Sequence, residues 1–220
     1  MLREAFVAPE YCADQECRAL LERLHEESVP VSEVGRDAFA KLAYGDRLDG
    51  VVALAETPQR RLEDLELTPG PLIAVVEGVE KPGNLGAILR TADGAGVNAV
   101  IIAESATDLF NPNIIRASLG AVFAVPVSVA SSGEVLAWLR DREIAIIAAR
   151  VDGSVDYTDA DYTGAVAIAL GSEARGLSDA WGVLARASVR VPMLGVGDSL
   201  NVSATAAVLF YEALRQRHGA

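Results

Sequence analysis

The sequence predicts a doubly wound, parallel-sheet α/β domain preceded by a small α/β domain. Three observations carry this. From Pro71 onward, short apolar runs alternate with stretches of helical pattern. Those runs, such as Leu72–Glu77 and Val166–Leu170, are apolar nearly throughout, as strands covered on both faces require. Residues 57–70 hold Pro58, Pro69 and mixed charges, and read as a linker between residues 1–56 and 71–220.

In the small domain, residues 4–7 form a strand and 14–27 a helix with apolar positions at Leu20, Leu21 and Leu24. Residues 29–34 give a strand and 37–43 a short helix. A continuous apolar run after Gly50 makes 51–55 a buried strand. The linker has room for one helical turn at 60–65. In the second domain, strands are expected at 72–77, 99–102, 124–127, 144–149, 166–170 and 188–191. Helices are expected at 85–95, stopped by Gly96, at 114–119 and at 132–140, with 200–217 closing the chain.

With 220 residues, 51% of them hydrophobic, the chain can bury one good core and a smaller companion. No run of 18 apolar residues occurs, so no transmembrane helix is expected, and the start lacks the apolar run of a secretory signal. Cys12 and Cys17 are the only cysteines, and His25 and His218 the only histidines. That inventory offers no metal-binding set and reads as two reduced thiols in a cytoplasmic protein. The net charge of −12 weighs against a broadly basic nucleic-acid surface. A groove is local, however. The acidic residues concentrate in 10–27, 56–66 and 152–161, whereas arginines 90, 116, 175, 186 and 190 lie outside those stretches.

Three motifs carry chemistry. The turn after the first strand of the large domain, residues 77–84, ends on Asn84, well placed to cap a helix. Arg90 follows six residues on and offers a fixed donor fork for a phosphate or ribose oxygen. The bland alternative is that Asn84 only caps and Arg90 only pairs with a surface carboxylate. The second motif, Gly171-Ser172-Glu173-Ala174-Arg175-Gly176, follows residues 166–170, with Gly171 allowing close backbone approach. Glu173 taken alone reads better as a helix-dipole contact worth about 0.3–1 kcal/mol. The third and most specific motif runs from Val191 to Ser203. A strand stops at Pro192, a glycine-bearing loop follows, and Asp198, Ser199 and Asn201 crowd the entry to an alanine-rich helix. One cap would need only one of those three residues. Neither the G-x-G-x-x-G nor the G-x-x-x-x-G-K-[ST] phosphate-binding pattern is present, which argues against an ordinary nucleotide-binding α/β enzyme.

In this order, Asn84-Leu85-Gly86-Ala87-Ile88-Leu89-Arg90, Gly171–Leu177 and 191–203 resemble the signature motifs of the SpoU/TrmH branch of the SPOUT RNA methyltransferases. Residues 108–123 and 48–53 are similar to the family as well. The resemblance implies S-adenosylmethionine-dependent methylation of a ribose 2′-oxygen in tRNA or rRNA, by in-line attack on the sulfonium methyl. It implies a C-terminal trefoil knot, a homodimer, no membrane and no metal. It assigns Asn84, Arg90, Glu173, Ser199 and Asn201 to catalysis. Leu170, Gly171, Ser172, Glu173, Val191, Pro192, Met193, Gly195, Ser199 and Leu200 would bind the cofactor. Residues 1–56 match an RNA substrate-binding domain that looks truncated, lacking a helix and approach segment before residue 4. Ala174 stands where the family commonly has glycine. A noncatalytic RNA- or ribosome-associated module on the same fold is the competing class.

Overall fold

A computed structural model describes residues 1–45, 48–105 and 107–219. The chain forms two compact units, Met1–Pro58 and Gln59–Ala220.

The first unit holds strands β1 (Leu2–Val7), β2 (Val31–Glu33) and β3 (Val51–Ala55) in the order β2-β1-β3. β1 pairs parallel to β2 and antiparallel to β3. Helix α1 (Gln15–Glu26) starts where the Asp14 carboxylate accepts the Cys17 N–H at 2.7 Å. Helix α2 (Arg36–Leu42) contributes Phe39, which is buried along with Ala5, Val7 and Leu24. Two expectations fail here. β3 is an edge strand whose side chains are half-buried or exposed, with Leu54 57% exposed, so its apolar run does not mark a buried strand. Cys12 and Cys17, read as free thiols, are joined in a disulfide. The turn into α1 brings their Cα atoms to 5.4 Å, within bonding reach.

The second unit is built on seven parallel strands in the order β6-β5-β4-β9-β7-β10-β8. They are β4 (Leu72–Glu77), β5 (Ala99–Ala103), β6 (Val127–Ala130), β7 (Ala145–Ala149), β8 (Val155–Asp156), β9 (Val166–Leu170) and β10 (Ala187–Arg190). Helices α3 (Pro82–Gly94), α4 (Pro112–Ser118), α5 (Ala121–Ala124) and α8 (Val202–His218) cover one face. Helices α6 (Ser132–Asp141) and α7 (Asp179–Leu184) cover the other. Alternate strand residues serve the two cores: Leu72, Ala74 and Val76 face α3 and α8, whereas Ile73 and Val75 face α6 and Trp181. Strands buried on both faces explain why the apolar runs do not alternate with polar residues.

Several boundaries differ from expectation. The strand placed at 124–127 begins instead at Val127; α5 occupies 121–124, and Pro126, which has no N–H to donate, precedes the first strand residue. The stretch read as a linker contributes Leu62 and Leu65 to the core beneath α6, around a single 3-10 turn at Leu62–Asp64. β8 and α7 have no counterpart in the sequence reading; both are short, and neither has a periodic apolar pattern.

At the carboxyl edge of the sheet, the Glu77 carboxylate is buried and accepts four hydrogen bonds. Its donors are the Ser132 hydroxyl on α6, the Ser178 N–H and hydroxyl ahead of α7, and the Trp181 indole. The carboxylate therefore ties the end of β4 to the segment that follows β9.

Candidate active site

The three motif segments meet where β4, β9 and β10 end. α3 starts at Pro82, with Lys81 as its N-cap residue, so Asn84 lies in the first turn rather than at the cap. Its carboxamide is free to reach sideways: Nδ2 donates to Glu173 Oε1 at 3.0 Å. Glu173 sits not at a helix start but on a tight turn closed by the Ser172–Gly176 bridge, which rules out the helix-dipole reading. Asn201 does two things at once. Its Oδ1 accepts the Ser203 N–H at 2.9 Å and so caps α8. Its Nδ2 donates to Glu173 Oε1 at 2.5 Å and to Asn84 Oδ1 at 3.2 Å. Asn84, Glu173 and Asn201 thus form one hydrogen-bonded trio from three separate segments.

Lys81, which the sequence reading did not single out, completes the network by donating to Glu173 Oε2 at 2.5 Å. That hydrogen bond, with a further one from Asn84 and the charge of Lys81, lowers the Glu173 pKa, outweighing desolvation in the other sense. Glu173 is therefore an ionised acceptor that fixes two carboxamides.

Arg90 and Ser199 stand apart. Both are exposed, and neither has a side-chain hydrogen bond or ion pair to another described residue. Six residues along a helix of 3.6 per turn place Arg90 about 120° around α3 from Asn84 and about 9 Å further on.

Beside the trio lies a cavity of about 820 Å³, within the size range of small-molecule sites. It opens at the carboxyl ends of β7, β9 and β10, where ligands of open parallel sheets bind. Of the expected cofactor positions, Leu170, Gly171, Ser172, Glu173, Val191, Pro192, Met193, Ser199 and Leu200 line it, and Gly195 does not. A Cβ at Gly171 would run into the backbone of Gly176 and Leu177, so this close approach of two chain segments requires glycine. Missed by the sequence reading were Arg150 and Asp152 after β7, and Thr205 on α8. The rule that ligands sit at strand carboxyl ends points to the segment after β7, but only once the strand order is known.

A parallel α/β sheet with a roomy cleft of mixed polar and apolar lining at its carboxyl edge, flanked by a carboxylate–carboxamide trio, defines an enzyme that holds a small polar ligand beside a second substrate. Residues 71–211 match the SpoU rRNA Methylase family, and the chain belongs to that family. It is 36% identical over 173 residues to the 23S rRNA (uridine(2479)-2′-O)-methyltransferase of Streptomyces viridochromogenes, a match covering 76% of this chain and 60% of that relative. The structure of an RNA 2′-O ribose methyltransferase superposes with a TM-score of 0.84 at 42% identity, covering 98% of this chain and 81% of that one. The SpoU methyltransferase AviRb from Streptomyces viridochromogenes, in complex with the cofactor AdoMet (S-adenosylmethionine), gives a TM-score of 0.88 at 30% identity, covering 100% and 85%.

Proposed function

We propose that this chain methylates a ribose 2′-oxygen of ribosomal RNA as a cytoplasmic homodimer with a trefoil-knotted C-terminal half. Residues 1–56 serve as its RNA-binding domain, and Asn84, Arg90, Glu173, Ser199 and Asn201 serve the transfer. The activity is that of an S-adenosylmethionine-dependent RNA ribose 2′-O-methyltransferase. The observation that carries the reading is the Asn84–Glu173–Asn201 trio set against a cavity whose lining includes nine of the ten residues expected to hold the cofactor. Family membership supports the knot and the dimer. Ribosomal RNA is favoured over tRNA by the named Streptomyces relative.

S-adenosylmethionine, when bound, supplies an electrophilic methyl group on a sulfonium. The backbone of 170–173 and 191–193, with Leu200, would hold it; the fit is a cleft of suitable volume at the carboxyl edge of the sheet, lined by both polar and apolar residues. Glu173, kept ionised by Lys81, locks Asn84 and Asn201 in one geometry, so that polar groups are positioned before substrate arrives. Asn201 links that geometry to the start of α8. Arg90 stays protonated in nearly all protein settings, so it holds a phosphate or the nascent alkoxide rather than removing a proton. The 2′-hydroxyl proton leaves to water or a neighbouring group.

The outward stripe of α8 suits a dimer contact. Ala204, Ala207, Val208 and Tyr211 share one side at helical spacing, whereas Ala206 faces the chain's own core. The substrate is tested by labelled-methyl transfer to total rRNA and total tRNA from cells lacking the gene. Incorporation into rRNA is expected; incorporation confined to tRNA would reverse the choice of substrate, and a monomer by light scattering would remove the dimer.

A further inference from the structure

The large unit binds up most of its own positive charge. Arg61, Arg140, Arg150, Arg186, Arg190 and Arg215 each pair with a carboxylate, Arg217 donates to backbone carbonyls, and Arg142 lies over the Trp138 ring. The guanidinium groups of Arg60, Arg90, Arg116 and Arg175 have no such pairing to any described residue. In a chain of net charge −12, three of these, on α3, α4 and the Glu173 loop, lie outside the acidic stretch 56–66 that holds Arg60.

Arg116 has a second feature beside it. Phe110 lies just before α4 and, partly buried, packs against the core. The chain reverses after α4 through Leu119 and Gly120, both with positive φ, at 51° and 87°. That reversal brings Phe123 of α5 back over Phe110, with ring centroids 5.8 Å apart and planes at 23°. Phe123 is 56% exposed and Leu119 65% exposed. The result is an aromatic ring held from behind by another ring, open to solvent in front, with an unpaired arginine on the adjoining helix. This patch adjoins the trio's scaffold, because α4 presses so closely on α3 that a Cβ at Gly86 would collide with Ala117. Gly86 lies two residues from Asn84, and Ala117 one residue from Arg116.

We propose that Phe123, backed by Phe110 and with Arg116 on the helix that joins the two rings, is a stacking platform for an unstacked base of single-stranded RNA next to the nucleotide that is methylated. Every base has a π-face that an exposed aromatic ring can accept, and a guanidinium on the adjoining helix suits a neighbouring phosphate. The proposal rests on the reading of the chain as an RNA methyltransferase, and adds where the RNA flanking the target is held. Charge favours RNA over a second copy of this acidic chain, since the patch offers unpaired arginine to a polyanion.

The test is filter binding of an in vitro transcribed 23S rRNA to the full chain, alongside methyl transfer, cofactor calorimetry and sedimentation. Phe123→Ala is expected to weaken RNA affinity about 5- to 100-fold, with an unchanged salt slope and unchanged S-adenosylmethionine affinity. Phe123→Trp should retain wild-type affinity, because the ring rather than the residue is needed. Arg116→Ala should lower the magnitude of the log–log salt slope by about 1. An active wild type with an unaffected Phe123→Ala variant overturns this proposal alone. A variant that shifts sedimentation from dimer to monomer instead makes the patch a protein interface and overturns it too. A wild type that neither binds nor methylates rRNA overturns it together with the reading it rests on.

Discussion

Replacing Glu77 by Gln keeps the size of the side chain and removes its charge, at a point where only donors converge. Oε1 accepts from Ser132 Oγ at 2.6 Å, Ser178 Oγ at 2.9 Å and Trp181 Nε1 at 2.8 Å, and Oε2 accepts from the Ser178 N–H at 2.7 Å. If the glutamine oxygen takes the Oε1 position, its NH₂ meets the Ser178 N–H, donor against donor. A buried N–H left unpaired costs about 1–3 kcal/mol, and each of the other three bonds loses about 1 kcal/mol on becoming neutral. Relief from burying a charge returns part of this. The net loss is about 3 kcal/mol, or roughly 6–12 °C in melting temperature for a chain of this size.

Thermal melts followed by tryptophan fluorescence measure it, since Trp181 is fully buried against the carboxylate. The pH dependence supplies a second check. Burial alone would raise the Glu77 pKa above its ordinary 4.5, but the four hydrogen bonds outweigh burial and hold it lower. The stabilisation is therefore complete above the unfolded-state value and is lost as pH falls through the lowered folded value. The gap between wild type and Glu77→Gln should be widest near neutrality and close in acid. Melting temperatures within about 1 °C near neutral pH, or a gap that persists unchanged in acid, would refute the reasoning.

Gly171→Ala should force apart the backbones of 171 and 176–177, costing about 1–3 kcal/mol and weakening calorimetric S-adenosylmethionine binding at least about tenfold; undiminished affinity would show that this close approach is not needed for the cofactor. Arg90→Ala should cut the methyl-transfer rate by about 10²–10³ with cofactor affinity nearly unchanged. Asn201→Ala should weaken both catalysis and cofactor binding and lose about 1 kcal/mol of capping; equal effects of these two substitutions on cofactor affinity would mean that the site is wrongly divided. The unreduced, denatured chain should take up no iodoacetamide, and Cys12→Ser should destabilise the first unit by about 2 kcal/mol; two alkylated cysteines would show that the thiols are free.

What was legible in the sequence divides along physical lines. The core strands could be read, because burial on both faces leaves an uninterrupted apolar run, as in Val166–Leu170. Asn201 was readable as a candidate cap because its side chain does cap. The buried–exposed distinction at β3 was not readable, because an apolar run carries no information about whether its strand lies at a sheet edge. The role of Asn84 was misread locally, since Pro82 at the first helical position moves the cap back to Lys81 and frees the carboxamide for Glu173. Lys81 and Glu77 escaped notice because their partners, Glu173 and Ser178, lie 92 and 101 residues away. The cavity wall after β7 depends on strand order, which no local pattern encodes.

The central claim is that the trio and cavity serve transfer of a methyl group to a ribose oxygen. The most direct test uses 23S rRNA lacking the modification, incubated with the chain and S-adenosylmethionine labelled in its methyl group, then hydrolysed in alkali. Alkaline cleavage of RNA needs a free 2′-hydroxyl, so a methylated ribose survives as a resistant dinucleotide. The account predicts label in an alkali-resistant dinucleotide, lost on Arg90→Ala. Label recovered on a base in ordinary mononucleotides, or no transfer by a folded protein that binds the cofactor, would contradict it.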